Sequence, residues 1–361
     1  MKKILKIFLV LIVIMQVLCA CSDKTDDEMY SGAIQNVCFS AENDYFCFAL
    51  SKQKSVILEK DNVITDLYDY SYSDDFHGMK NPFIYNEKLY YVTSSHQDTV
   101  CIACFDMNNL GQADVLTPEK DNIYAFTVTG NRIYYYAYHN GENAIYSFDL
   151  KSKKEDLIFS TDDYIYNFFV SEKSIIYGNT KYDFNKEQEY ELTAELSDKN
   201  IAGLGIIDNI YYCSFMNSDM TENEIYSVNL RDNTVKSVCE LPVGFNEPRL
   251  YDNKILYVDS NENDSRYLLL GYYDLSTNKM KTAFDRTSDC YSYDLLYDYI
   301  DNYDSFYYGD SFYMWYPDTI VKINNLNEEK IFGLKSYVTD SGSFSYQYSW
   351  MTYEEYLKEN D

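Results

Sequence analysis

Histidine and positive charge are both scarce in this chain. The three histidines, His77, His96 and His139, stand at no metal-binding spacing to one another, and His96 and His139 fall in expected hairpin turns. The sequence contains no G-x-S-x-G elbow, phosphate loop, dinucleotide fingerprint or H-E-x-x-H helix. These absences exclude the common linear catalytic motifs, though not a site gathered from distant segments. Thirty lysines and arginines face 58 aspartates and glutamates, a formal net charge of −28. A basic surface for nucleic acid or anionic headgroups is thereby excluded, and partners are expected to be cationic, neutral or bridged by metal ions. With 17% aromatic and 46% hydrophobic residues, this acidity belongs to a folded surface.

A disulfide framework is also missing. Beyond Cys21 the cysteines are Cys38, Cys47, Cys101, Cys104, Cys213, Cys239 and Cys290, an odd number. Cys101 and Cys104 have redox-pair spacing but lie in an apolar run, Thr99 to Phe105, that reads as a strand. Side chains three apart on a strand point to opposite faces, so the expectation is two separately buried thiols. A two-residue turn at Glu42-Asn43 would set Cys38 opposite Cys47, where a disulfide is geometrically allowed.

The N-terminus carries Lys2, Lys3 and Lys6, an apolar run from Ile7 to Val17, and then Leu18-Cys19-Ala20-Cys21. That order is a cleavable export signal, and its end resembles a bacterial lipobox, with Cys19 where Ala, Ser, Thr or Val is usual. The resemblance implies cleavage after residue 20, diacylglyceryl attachment at Cys21, and a place at the cell membrane on its extracytoplasmic face. The acidic stretch 21–31, with Asp23, Asp26, Asp27 and Glu28, reads as a tether kept extended by its like charges.

One phrase recurs through residues 32–350. Short aromatic β-prone runs centre on Phe46, Tyr91, Tyr135, Tyr177, Tyr212, Tyr257 and Tyr313, at intervals of 45, 44, 42, 35, 45 and 56 residues. Arg132 to Tyr138 reads as one strand, Asn140-Gly141 as the tight turn needing positive φ, and Ala144 to Leu150 as the return strand. Ile225-Tyr226-Ser227-Val228-Asn229-Leu230 and Leu270-Gly271-Tyr272-Tyr273-Asp274-Leu275 echo that return. A third strand at Asp156 to Phe159 and a lead-in strand at Asp163 to Phe169 make four per unit. Strand repeats of this length are propeller blades, each unable to bury both faces alone. The expected fold is all-β: a β-propeller of four-stranded blades, seven in number.

These residues resemble the YWTD-type propellers of low-density lipoprotein receptors and a related prokaryotic domain found in surface lipoproteins. Tyr91, Tyr135, Tyr212 and Tyr257 fill the tryptophan position, and Asp259 alone matches the motif aspartate. The resemblance implies fold rather than chemistry.

Ser343 to Trp350 reads as a last strand and residues 351–361 as a short helix opened by Thr352-Tyr353-Glu354-Glu355. The early strand Ala33 to Phe39 is expected to complete the final blade. For ligand binding, Tyr291, Tyr293, Tyr297, Tyr299, Tyr303, Tyr307, Tyr308 and Trp315 with Asp301 and Asp304 combine flat apolar rings with acceptors, a composition suited to sugars or cationic side chains. Tyr68, Tyr70 and Tyr72, with Asp66, Asp69, Asp74 and Asp75, form a second such cluster. Asp259, Asn261, Asn263 and Asp264 begin like a calcium loop, but the sixth-position glycine and the closing glutamate are missing, and a solvated hairpin loop is the alternative. No cofactor or catalytic residue is assigned. The expected function is non-catalytic recognition of a carbohydrate, peptide or protein partner. The alternatives are an enzyme acting on an extracellular glycan through axial carboxylates, and a structural subunit of a surface complex.

Overall fold

The computed structural model describes residues 29–35, 39–42, 45–50, 55–60, 63–66, 79–96, 99–217, 223–242, 248–261, 264–287, 305–308, 311–316, 319–324, 327–338, 346–352 and 358. Among these the chain is all-β. After β1 (Ser31–Ala33) come β2 (Phe39–Glu42), β3 (Tyr45–Leu50), β4 (Ser55–Lys60) and β5 (Val63–Asp66), which make the first sheet. The second holds β6 (Met79–Tyr85), β7 (Lys88–His96), β8 (Thr99–Asp106) and β9 (Asn109–Val115). The third holds β10 (Asn122–Thr129), β11 (Arg132–His139), β12 (Glu142–Asp149) and β13 (Glu155–Thr161). The fourth holds β14 (Phe168–Val170), β15 (Ser174–Tyr177), β16 (Thr180–Asp183) and β17 (Gln188–Glu191). The fifth follows with β18 (Ile201–Ile207), β19 (Ile210–Met216), β20 (Asn223–Asn229) and β21 (Val235–Glu240). The sixth has β22 (Arg249–Tyr251), β23 (Lys254–Asn261), β24 (Asp264–Asp274) and β25 (Lys279–Thr287). The seventh has β26 (Ser305–Tyr308), β27 (Ser311–Tyr316), β28 (Thr319–Asn324), β29 (Asn327–Val338) and β30 (Tyr346–Thr352). Each sheet touches the next through its first strands, and β30 returns to touch β5. The fold is a β-propeller.

The doubled tyrosines of the repeat now have a mechanical meaning. Neighbouring strand residues face opposite sides, so Tyr91 packs toward the first sheet with Phe105, while Tyr90 packs toward the third. Likewise Tyr135 joins the core between sheets two and three, and Tyr136 the core between sheets three and four. Each ring buried this way contributes about 1.5–3 kcal/mol, and both faces of a sheet need it. In the fifth sheet the register differs from the expected alignment. Tyr135 pairs with Tyr146, whereas Tyr226, the matching return-strand tyrosine, pairs with Cys213. Cys213 therefore holds the repeat position assigned from sequence to Tyr212, and fully buried Tyr211 fills the interface with the fourth sheet.

The polar stop of the return strand is equally physical. Asp149 Oδ1 accepts the backbone amides of Lys151 and Ser152, Asp183 Oδ1 those of Asn185 and Lys186, and Asp274 Oδ1 those of Ser276 and Thr277. The leucine that follows donates its amide across the sheet: Leu150 to Asn131 O, Leu230 to Asn209 O and Leu275 to Asn253 O. Asx-turns of this kind satisfy amides that have no ladder partner. At the opposite hairpin, Asn140 and Gly141 have φ of 54° and 89°, the positive angles that their sequence demands.

Three expectations need correction. Ser31–Ala33 does not complete the final sheet; it pairs antiparallel with β14, Ser31 opposite Val170 and Ala33 opposite Phe168, making the fourth sheet five-stranded. The other strands of that sheet are short, three or four residues each. The final sheet takes β30 as its fifth strand instead. The lead-in strand begins at Phe168, leaving residues 162–167 as a loop. In the first hairpin Glu42 pairs with Tyr45, not the register expected; Cys47 thus pairs with Ser40, and Cys38 lies outside the described residues. Cys101 and Cys104 behave as expected: both are reduced thiols, 0% and 4% exposed, on β8. Past Thr352, of the segment read as a helix, only Lys358 is described.

Candidate functional site

Between the fourth and fifth sheets opens a cleft of about 580 Å³. Its wall on one side is the 162–167 loop, on the other the turn after β15 and residues 197–203. Thr161 Oγ1 accepts the amide of Asp163 at 3.0 Å and starts the loop. From there residues alternate. Ile165 is 2% exposed and joins the core shared with the third sheet, whereas Tyr164 and Tyr166 are 50% and 42% exposed. Their rings meet edge to face at 4.9 Å, and Tyr124 meets Tyr164 edge-on at 5.6 Å. This edge-to-face packing sets two half-exposed tyrosines at one end of the cleft.

Buried amides hold the cleft open. Asn167 Oδ1 accepts the backbone amide of Gln35 at 3.0 Å, and its Nδ2 donates to Gly203 O at 2.8 Å. Gly203 is required there, since a Cβ would lie 2.6 Å from both Tyr211 Oη and Phe169 Cε2. Asn179 Nδ2 donates to Thr193 O at 2.7 Å, fixing the far wall. On the rim, Lys199 Nζ donates to Glu224 Oε2 at 3.2 Å and sits 4.0 Å from the Phe215 ring centroid. The Tyr226 hydroxyl and the Glu224 carboxylate raise the Lys199 pKa, and the Tyr226 hydroxyl and the Lys199 ammonium lower that of Glu224. A second depression of about 360 Å³ adjoins the cleft, sharing Asn179, Thr180 and Ser197 and adding half-exposed Tyr190. Together they form a groove lined by tyrosines, amide and hydroxyl groups, and the charged side chains of Asp163, Glu189, Glu191 and Lys199.

Asp149, Asp183, Glu224, Asp232 and Asp274 are the carboxylates whose ionisation the fold displaces, and all are held below the usual range by hydrogen bonds. A general acid requires the opposite displacement. Among the described residues no group of three or more His, Cys, Asp and Glu side chains is placed to hold a metal ion.

Of the residues named from sequence, those that are described do not line this cleft. Tyr291, Tyr293, Tyr297, Tyr299, Tyr303, Asp301 and Asp304 lie outside the described residues, as do Tyr68, Tyr70, Tyr72, Asp69, Asp74 and Asp75, while Asp66 ends β5. Tyr307 and Tyr308 fall on β26, and Trp315 on β27 opposite Ile320. Asp259 and Asn261 fall on β23 and Asp264 on β24; Asn261 pairs with Asp264, closing a hairpin, and Asn263 lies outside the described residues. Cys21 lies outside them too. Sequence reading missed Tyr164, Tyr166, Asn179 and Lys199. The one available signal was Asp162-Asp163 ahead of alternating tyrosines, which reads equally as a strand.

No family profile matches the chain, and no curated protein does. Solved structures do. The β-propeller domain of the trilobed protease from Pyrococcus furiosus, described as having an open velcro topology, aligns at TM-score 0.52 and 10% identity, over 82% of this chain and 95% of that one. The oligogalacturonate lyase from Vibrio parahaemolyticus aligns at TM-score 0.53 and 9% identity, over 81% of this chain and 91% of that one. The chain spans 62% of the length of a TolB from Acinetobacter baumannii, at 14% identity over 70% of this chain and TM-score 0.40. The two longer alignments agree with the sheet topology and establish that this chain is a β-propeller.

Proposed function

We propose that the protein is a lipid-anchored recognition module of the extracytoplasmic membrane face, each of its seven sheets a blade, binding an extended polar ligand without chemical turnover. The observation that carries this reading is the groove between the fourth and fifth sheets, where exposed Tyr164 and Tyr166 stand beside amide and hydroxyl groups. Flat rings with hydrogen-bonding edges suit an oligosaccharide or a peptide strand.

β1 runs from the 171–174 turn, where Tyr30 Oη lies 3.3 Å from Ser174 Oγ, toward the 162–167 loop, where Gln35 Nε2 donates to Ile165 O.

The oligogalacturonate lyase likeness keeps glycan cleavage as the alternative. The test is to incubate the mature chain with neutral oligosaccharides, oligogalacturonate and peptides, measuring retention and product together. Retention without product supports the module; product from any glycan overturns it in favour of the enzyme. Membrane fractionation with Cys21→Ser tests the anchor, the variant being expected in the soluble fraction.

A further inference from the structure

The loop that carries Tyr164 and Tyr166 has no β-ladder of its own, so its shape must be imposed from outside. Gln35 imposes it. Its backbone amide donates to Asn167 Oδ1 at 3.0 Å, its Nε2 donates to Ile165 O at 2.6 Å, and its Oε1 accepts the Tyr164 hydroxyl at 2.7 Å. Three bonds therefore reach three of four consecutive loop residues from one side chain and its own backbone. Gln35 is 8% exposed, so water competes poorly for these groups.

The segment bearing Gln35 is itself tied down at several points. Ser31 Oγ lies 2.6 Å from Thr127 Oγ1 on β10, Arg249 Nη2 on β22 donates to Gln35 O at 3.4 Å, and β1 pairs with β14. It is thereby bonded to the third, fourth and sixth sheets through their first strands. In four-stranded propeller sheets these strands line the axis, so the N-terminal segment fills the axial position beside the cleft.

We propose that Gln35 is the positioning residue of the ligand groove. Residues 30–35 are an axial brace that holds the 163–167 loop in its tyrosine-presenting shape and links the tethered N-terminus to the binding face. The link to ligand binding rests on the groove being the ligand site; the brace itself is measurable without ligand.

Hydrogen–deuterium exchange on the mature chain tests it. In Gln35→Ala the amides of residues 163–167 should exchange about ten-fold faster, with β11 and β12 unchanged. Gln35→Glu keeps the acceptor for Tyr164 but sets a buried carboxylate against Ile165 O, so its loop should exchange at least as fast as in Gln35→Ala. Tyr164→Phe keeps the ring and loses one bond of the brace, which serves if Gln35→Ala does not fold. Unchanged exchange at 163–167, or an equal rise throughout the fourth sheet, overturns the proposal, because a merely stabilising strand loosens its whole sheet. Faster loop exchange in a protein that retains nothing from the oligosaccharide and peptide panel keeps the brace and removes the ligand reading.

Discussion

The side chain of Asn167 joins Gln35, 132 positions earlier, to Gly203 in the next sheet, accepting from one backbone and donating to the other. Both bonds are buried, and both were invisible in the sequence, where Asn167 sits inside an apparent strand.

Asn167→Ala should lower unfolding free energy by about 2–4 kcal/mol in urea titration, because it strands the Gln35 amide and the Gly203 carbonyl together. Gly203→Ala should cost about 1–3 kcal/mol through overpacking against Tyr211 and Phe169. A loss under 0.5 kcal/mol for Asn167→Ala would show that water or a rearranged loop replaces it.

Lys120 is 4% exposed, with Nζ 2.6 Å from Glu155 Oε1, while Tyr135 donates to Glu155 Oε2 at 2.6 Å. Lys120→Met leaves Glu155 uncompensated and should cost about 3 kcal/mol; the double variant with Glu155→Gln should recover part of that. Additive losses in the double-mutant cycle would mean the two groups are not coupled.

How much of this was legible follows from particular residues. Phe46, Tyr91, Tyr135, Tyr177, Tyr257 and Tyr313 lie one to a sheet, and Tyr91, Tyr135, Tyr177 and Tyr257 each fill a core between neighbouring sheets, because a repeated interface needs a repeated ring. Tyr212 lies on the second strand of its sheet, but the repeat position there is taken by Cys213, one residue on, and only the strand register reveals it. Strand β1 was misplaced since three residues, Ser31-Gly32-Ala33, carry no pattern naming a partner 137 positions away. The cleft escaped for the same reason: alternation of Tyr164, Ile165, Tyr166 and Asn167 satisfies a strand pattern and a loop with two exposed rings equally well.

Acid sensitivity should trace in part to Asp274. Its hydrogen bonds to Ser276, Lys281 and Thr277 hold the folded pKa well below the unfolded value of about 3.9. A depressed pKa gives stability that is full above the unfolded value and is lost as pH falls through the folded one. Asp274→Asn should therefore be less stable than the parent at pH 7, with the gap closing steadily below about pH 4. A gap independent of pH would assign the loss to turn geometry alone.

The buried thiols should be inert in the native protein. Burial pushes Cys101 up to about 11 and Cys213 up to about 12, and raises Cys104, so little thiolate forms near neutrality. Iodoacetamide with mass-spectrometric readout should leave all three unmodified until denaturant is added. Rapid native labelling of Cys213 would contradict its place in the interface between the fourth and fifth sheets.

The most direct test of the binding account compares the parent chain with Tyr166→Ala in a thermal-shift panel of oligosaccharides and peptides. Tyr166 is 42% exposed, so its removal should barely change the unliganded midpoint. A ligand that raises the parent midpoint should lose most of that shift in the variant, because only binding to the folded form raises it. A ligand shift of equal size in both proteins would place binding elsewhere on the propeller and contradict the groove as the site.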